Sequence, residues 1–168
     1  MIEVATKLAL HGGLLVGHDG SGPASEAVRW AAGLAGRLGC PLHVLRSWSI
    51  SSAPRPATAE PGYVPPMSDF EDAVLKRLES DVAKVGLPAE LDVQCHVLHG
   101  PSGRRLLEAS AGVDMLVVGS RGAGGFRGLL FGSTADQVVR NARVPVIVVP
   151  VHGSDDPADL DAQSRPER

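Results

Sequence analysis

The stretch GSRGAGGFRGLLFGST, residues 119–134, is where this sequence concentrates its chemistry. Gly119, Gly122, Gly124, Gly125, Gly128 and Gly132 fall within fourteen residues, after the apolar run Met115–Val118 and before a helical pattern over about 135–142. Glycines allow backbone N–H groups to approach an anion closely. Ser133 and Thr134 open the following helix, where hydroxyls and free N–H groups face the positive end of the helix dipole. Between Gly119 and Arg143 stand four arginines (121, 127, 140, 143) and one acid, Asp136, a local balance of +3. Backbone donors, hydroxyls and this charge describe a phosphate site. The other reading is a tight loop followed by a helix that Ser133 caps. No lysine lies in the loop, so it is not a Walker A sequence. It is also too long, and too late in the chain, to be the first turn of a dinucleotide-binding fold.

Other reactive residue types form no comparable group. The histidines (11, 18, 43, 96, 99, 152) lack a metal-binding spacing. His96 and His99 lie three apart in a strand pattern and so face opposite sides. Cys40 and Cys95 read as reduced packing residues.

The elements that must position the loop follow from apolar periodicity. Gly13–His18 reads as a buried strand before the turn DGSGP. Pro23 starts a helix capped by Ser21 or Gly22, buried through Val28, Ala31, Ala32, Ala35 and Leu38, and stopped by Gly39. Leu42–Trp48 is the second strand. Residues 49–66 hold five prolines and little that packs, a long loop of the kind that covers a site or stays disordered. Ser68 and Glu71 have capping-box spacing. Phe70, Val74, Leu78, Val82 and Val85 form the buried stripe of a second helix, ended by Gly86 and Pro88. Leu91–Leu98 alternates apolar and polar residues, as a strand near a sheet edge does. Gly100-Pro101 begins a short helix with Leu106 and Leu107 inward, Met115–Val118 is a fully apolar strand, and Val144–Val151 is the last one. Alternating strands and helices with apolar strands imply an α/β fold, a three-layer α/β/α open parallel sheet.

The whole chain of 168 residues suits one domain and carries a net charge of −3. The segment after Val151 holds five acids and two bases, so the remainder is balanced at 14 basic and 14 acidic residues. A neutral body argues against general nucleic-acid binding, which needs a basic field. No apolar run reaches the length of a membrane span, and the first residues do not read as a signal peptide. The expected protein is therefore cytoplasmic, with an extension over 1–12, a domain over 13–151 and a disordered acidic tail over 152–168.

The spacing Gly119-x2-Gly122-x9-Gly132-Ser133 resembles the G-2x-G-9x-G-[ST] signature of the universal stress protein family. LLVGHDGSGPASEAVRWA is similar to that family's first strand and helix, VLHGPSGRRLLEAS to its third strand–helix junction, and PVIVVPV to its last strand. The resemblance spans residues 13–151. It implies five parallel strands in order 3-2-1-4-5, as in the adenine nucleotide alpha-hydrolase-like superfold. It also implies an ATP site, because the branch that lacks this glycine pattern does not bind ATP. Phosphate contacts would come from Gly119, Ser120, Arg121, Gly122, Gly125, Arg127, Gly132, Ser133 and Thr134. Asp19, with Gly17 beside it, would lie by the ribose and adenine, and the backbone near Ser47 would meet the adenine. For Asp19 an Asx turn or a cap of the first helix is the competing role. His18 stands where that family varies and takes no role from the resemblance.

The same resemblance implies a homodimer joined through the last strand, Val144 to Val151, which would cover an apolar edge that otherwise invites aggregation. The loop offers no carboxylate to hold a metal or activate water, and Asp136 suits the dipole of its own helix. The expected function is therefore nucleotide-dependent stress regulation with bound ATP, magnesium bridging its phosphates, and a protein partner that reads the bound shape. Slow ATP hydrolysis, cyclic AMP binding and a nucleotide-free dimeric interaction module are the alternatives.

Overall fold

The computed structural model describes residues 4–122 and 130–150. Its elements are β1 (Leu14–Gly17), α1 (Gly22–Leu38), β2 (Leu42–Trp48), α2 (Met67–Val85), β3 (Val93–His99), α3 (Ser102–Ala109), β4 (Met115–Gly119), α4 (Ser133–Asn141) and β5 (Val146–Val149), with a 3-10 turn over Ser110–Gly112. The strands form one parallel sheet in order β3-β2-β1-β4-β5. The expected topology is therefore observed.

Strand β1 explains the layering. Leu14, Leu15 and Val16 are all fully buried, and successive side chains point to opposite faces of a sheet. Leu14 and Val16 pack with α1 and α2 through Ala27, Val28, Ala31, Val74 and Leu78. Leu15 packs on the other face with Leu106 of α3 and Val138 of α4. Both faces of the strand are dry, so the sheet needs a helical layer on each side.

Element boundaries follow local chemistry, with departures from expectation at Leu38, at the start of α2 and in β5. Helix α1 is capped by Ser21, whose hydroxyl accepts the Ala24 N–H, and is stopped by Gly39 in a left-handed conformation, φ 64°. Leu38 is 53% exposed and does not join the buried face. The capping box proposed for Ser68 and Glu71 is absent. Helix α2 starts directly after Pro66, whose extended backbone (φ −64°, ψ 158°) already sets the helix entry, so Ser68 lies inside the first turn. Glu71 instead accepts the Ala5 N–H at 2.8 Å. Strand β5 is shorter than 144–151. Pro145 and Pro150 bound it, and proline cannot donate to a strand ladder.

Two segments read as peripheral are packed. In the 49–66 loop Pro56 and Pro65 are buried, Arg55 Nη2 donates to the Ala59 carbonyl at 3.1 Å, and the Thr58 hydroxyl donates to Asp69. In the N-terminal extension Leu10 is buried and Leu8 packs against the α3–α4 core. The Ala5 carbonyl accepts the His99 N–H at 2.8 Å, and Gly12 N–H reaches the Gly112 carbonyl at 2.7 Å. The acidic tail, 152–168, lies outside the described residues.

The two strand histidines face opposite sides, as their spacing requires. His99 packs edge-on against Trp48, ring centroids 4.9 Å apart. His96 Nε2 lies 3.1 Å from Nδ1 of buried His43. Both cysteines are free thiols, and burial pushes Cys95 up to about 11.

Two predictions follow from this packing. Leu116 is fully buried, so Leu116→Ala should cost about 2–5 kcal/mol in chemical denaturation, whereas Leu38→Ala should stay within about 0.5 kcal/mol. Burial lowers the His43 pKa, opposed by Asp92 and the Gly12 backbone. Burial lowers that of His96 too, and His43 adds to the effect. The unfolded chain then takes up protons that the folded pair resists, so stability should be full above pH 6.5 and fall as pH drops below it. Thermal melts from pH 7.5 to 5 should show that slope, and it should be smaller in a His43→Leu, His96→Leu double variant.

Candidate functional site

The order β2-β1-β4 makes β1 the strand from which the chain departs to either side, and such a point opens a crevice at the carboxyl ends of the strands. A cleft of about 530 Å³ lies there, within the usual range for small-molecule sites. Gly17, Asp19, Ser47, Gly119, Arg121, Gly122, Gly132, Ser133 and Thr134 all line it. One hundred and seventeen positions separate Gly17 from Thr134 in the chain, and the sheet brings them to one wall.

Of the remaining sequence candidates, Ser120 is not among the lining residues. Its N–H donates to the Val149 carbonyl at 2.8 Å, and its carbonyl accepts the Gly132 N–H at 2.8 Å. Ser120 therefore ties the end of β4 to β5 and to the start of α4. Gly125 and Arg127 lie outside the described residues.

Helix α4 begins at Ser133, two positions earlier than its apolar pattern suggests, and no side chain caps it. Its first turn thus points main-chain N–H groups toward the cleft without a competing protein acceptor in the cap position. This outcome removes the capping reading of Ser133. Gly132 occupies the cap position, and Ser133 is the first helical residue. Asp136 turns back along the helix and accepts Arg140 Nε on both oxygens at 2.9 Å, so its carboxylate serves its own helix.

Asp19 forms an Asx turn at the start of α1. Its Oδ1 accepts the Ser21 N–H at 3.0 Å and the Ser21 hydroxyl at 2.5 Å. Its Oδ2 lies against Gly122, where a β-carbon would come within 2.6 Å of that oxygen. The β1–α1 turn and the β4–α4 loop thus touch at Gly122. Its dihedral angle is not left-handed; Gly20, by contrast, has φ 87°.

Sequence reasoning missed several of the described residues of the cleft wall, Leu45 and Val118 among them. Ser102, at the start of α3, accepts a hydrogen bond from the Ser47 hydroxyl at 2.6 Å. Leu106 and Phe131 add apolar wall. His18 lines the cleft and is only 4% exposed. Its Nδ1 accepts the Gly20 N–H at 3.1 Å, and its Nε2 faces the Ser25 hydroxyl at 3.3 Å. The Gly100-Pro101 helix start pointed toward Ser102, but nothing in the sequence separated His18 from an ordinary strand residue. The 49–66 loop, expected as a cover, contributes none of the lining residues.

The universal stress protein family profile matches residues 13–150. A universal stress protein of Mycolicibacterium smegmatis is 31% identical over 166 residues, covering 94% of this chain and 52% of its own length. One from Mycobacterium tuberculosis is 31% identical over 82% of this chain and 48% of its own. The chain therefore spans about half the length of the curated relatives it matches. Among solved structures, UspA from Lactobacillus plantarum superposes with a TM-score of 0.63 at 21% identity, over 85% of this chain and 99% of that one. A universal stress protein in complex with cAMP gives 0.58 at 22% identity, over 86% and 100%. One from Archaeoglobus fulgidus in complex with dAMP gives 0.54 at 20% identity, over 84% and 99%. With the sheet order, the glycine spacing and these matches in agreement over nearly the whole domain, the chain belongs to the universal stress protein family.

Proposed function

We propose that this protein binds an adenine nucleotide, ATP foremost, in the cleft at the carboxyl ends of β1 and β4, and acts as a nucleotide-dependent stress-response regulator. The observation that carries this reading is the first turn of α4. It has no side-chain cap, and it opens into the cleft beside Arg121 and the Gly122–Asp19 contact. Phosphates suit that end, because free N–H groups, the Ser133 and Thr134 hydroxyls and the Arg121 charge all favour an anion. The apolar wall of Leu45, Leu106 and Val118 suits the base. Asp19 and Gly17 border the region between, where the ribose would sit. The cAMP and dAMP complexes of two structural neighbours support an adenine nucleotide as the ligand class. The length of the glycine signature in the sequence, from Gly119 to Ser133, favours the triphosphate over the cyclic monophosphate.

Magnesium would enter with the nucleotide, bridging its phosphates and keeping water on its other positions. Among the described residues no group of three His, Cys, Asp or Glu side chains could hold a metal ion, so the proposal assigns it no protein ligand. Binding is favoured over hydrolysis because the two carboxylates at the cleft are engaged, Asp136 by Arg140 and Asp19 by Ser21.

The proposal includes a homodimer. Strand β5 ends the sheet, and Val146, Ile147 and Val148 are only partly buried. Antiparallel pairing of two β5 strands would cover that edge. Sedimentation should then give twice the 17.4 kDa of the chain; a monomer at micromolar concentration would remove the dimer from the proposal. No helix among the described residues is long and apolar enough to cross a membrane, and a cytoplasmic location is part of the same proposal.

The deciding experiment releases any small molecule from the purified protein by denaturation, identifies it by chromatography, and then titrates ATP, ADP and cyclic AMP calorimetrically. ATP should be carried or tightly bound. Gly122→Val drives side-chain atoms into Asp19 and should abolish binding. Ser133→Ala should weaken ATP by about tenfold or more, as loss of a hydrogen bond to a charged group does. No carried nucleotide and no heat with any of the three ligands would leave the loop as architecture only.

A further inference from the structure

The β1–α1 turn that presents Asp19 is held from below by His18, Ser25 and Arg46. The neutral His18 ring has one possible tautomer here. A backbone N–H can only donate, so the Gly20 contact requires a bare Nδ1 and leaves the proton on Nε2. Nε2 then donates to the Ser25 hydroxyl, which donates to the Ser21 carbonyl at 3.4 Å. The ring thus ties the two ends of the turn 18–21 to the first turn of α1. Arg46 of β2 lies under Gly20, where a β-carbon would come within 3.2 Å of Nη2. Arg46 Nη1 in turn lies 3.7 Å from Asp81 of α2, and both side chains are nearly buried.

We infer that His18 is a positioning residue for Asp19, and that its protonation withdraws the turn and weakens nucleotide binding at acid pH. The inference rests on the nucleotide-binding reading above. A proton on Nδ1 would set two donors, Nδ1–H and the Gly20 N–H, against each other at 3.1 Å. The turn must then open, and Asp19, one residue away and touching Gly122, moves with it. The charged groups facing the ring come from three elements: Asp19 on the turn itself, Asp81 on α2 and Arg46 on β2. Burial lowers the His18 pKa from the ordinary 6.5, Asp19 and Asp81 act against that shift, and Arg46 adds to it. The ring is therefore neutral at pH 7.5, and affinity is full there. Affinity falls once pH drops below 6.5 and through the His18 pKa, by about tenfold for each further unit, because only the neutral fraction is competent.

Two measurements test this. In the ligand-free protein, nitrogen shifts of the labelled ring should report the Nε2–H tautomer, and the Gly20 amide should titrate with the ring. An Nδ1–H tautomer, or a Gly20 amide indifferent to the ring, would overturn the proposal without any nucleotide being added. In the second, ATP affinity is measured from pH 7.5 to 5 for wild type, His18→Asn and His18→Leu. Asparagine can offer Oδ1 to the Gly20 N–H and does not titrate; leucine can do neither. At pH 7.5 His18→Leu should lose about five- to tenfold in affinity, and His18→Asn should recover part of it. The acid limb of wild type, compared with His18→Asn so that protonation of ATP itself cancels, should be absent from both variants. An acid limb of equal depth in all three proteins overturns the role of His18 and leaves the nucleotide site standing. No ATP binding by wild type at pH 7.5 overturns the site reading and the coupling together, while the ring measurement separately decides the turn.

Discussion

Burial of β1 on both faces is the constraint from which the rest of the architecture follows. Leu14, Leu15 and Val16 are three consecutive residues with no exposed surface. Burying each contributes roughly 1.5–3 kcal/mol, and only a helical layer on either side of the sheet can cover all three. Helices α1 and α2 supply one layer, α3 and α4 the other. With β1 at the centre, β2 must pair on one side and β4 on the other. The loops that leave β1 and β4 then diverge around a common gap, and the cleft occupies it.

The gap is shaped by the contact between those two loops. Asp19 spends one carboxylate oxygen on the Ser21 turn and sets the other against Gly122. One residue thereby serves local structure and the cleft wall at once. The turn role of Asp19 occupies one oxygen and leaves the other on the cleft side, against Gly122. A β-carbon at position 122 would displace the Asp19 carboxylate from its place against the loop. The glycine there belongs to the packing of the cleft wall.

The second loop is anchored by backbone rather than side chains. Ser120 bonds through its main chain to Val149 and to Gly132, so the loop that begins after β4 returns to within one residue of where α4 starts. The start of α4 is thereby fixed against β4 and β5 whatever lies between. A helix N-terminus held this way is preorganised for an anion, since its N–H groups need no rearrangement to meet one. The same anchoring explains why Ser120, although inside the glycine signature, contributes structure where its neighbours contribute lining.

The sequence alone determined the fold class, the extent of β2, the ends of the two long helices at Gly39 and Gly86, and the glycine segment as the place where chemistry concentrates. These were legible because apolar periodicity and glycine spacing are local signals, written within windows of a few residues. The resemblance carried by Gly119, Gly122, Gly132 and Ser133 supplied the strand order and the likeness of Asp19 and Ser47 to nucleotide contacts. Tertiary structure decided what local signals cannot encode. It placed Leu38 outside, replaced the Ser68 cap with a start after Pro66, and turned Glu71 toward Ala5. It also made His18 part of the cleft and Ser120 part of the frame. The reason is that each of these depends on which distant backbone arrives alongside. A histidine at the end of a strand reads the same in sequence whether it faces solvent or accepts the amide of a glycine two residues on, and only the packed turn distinguishes them.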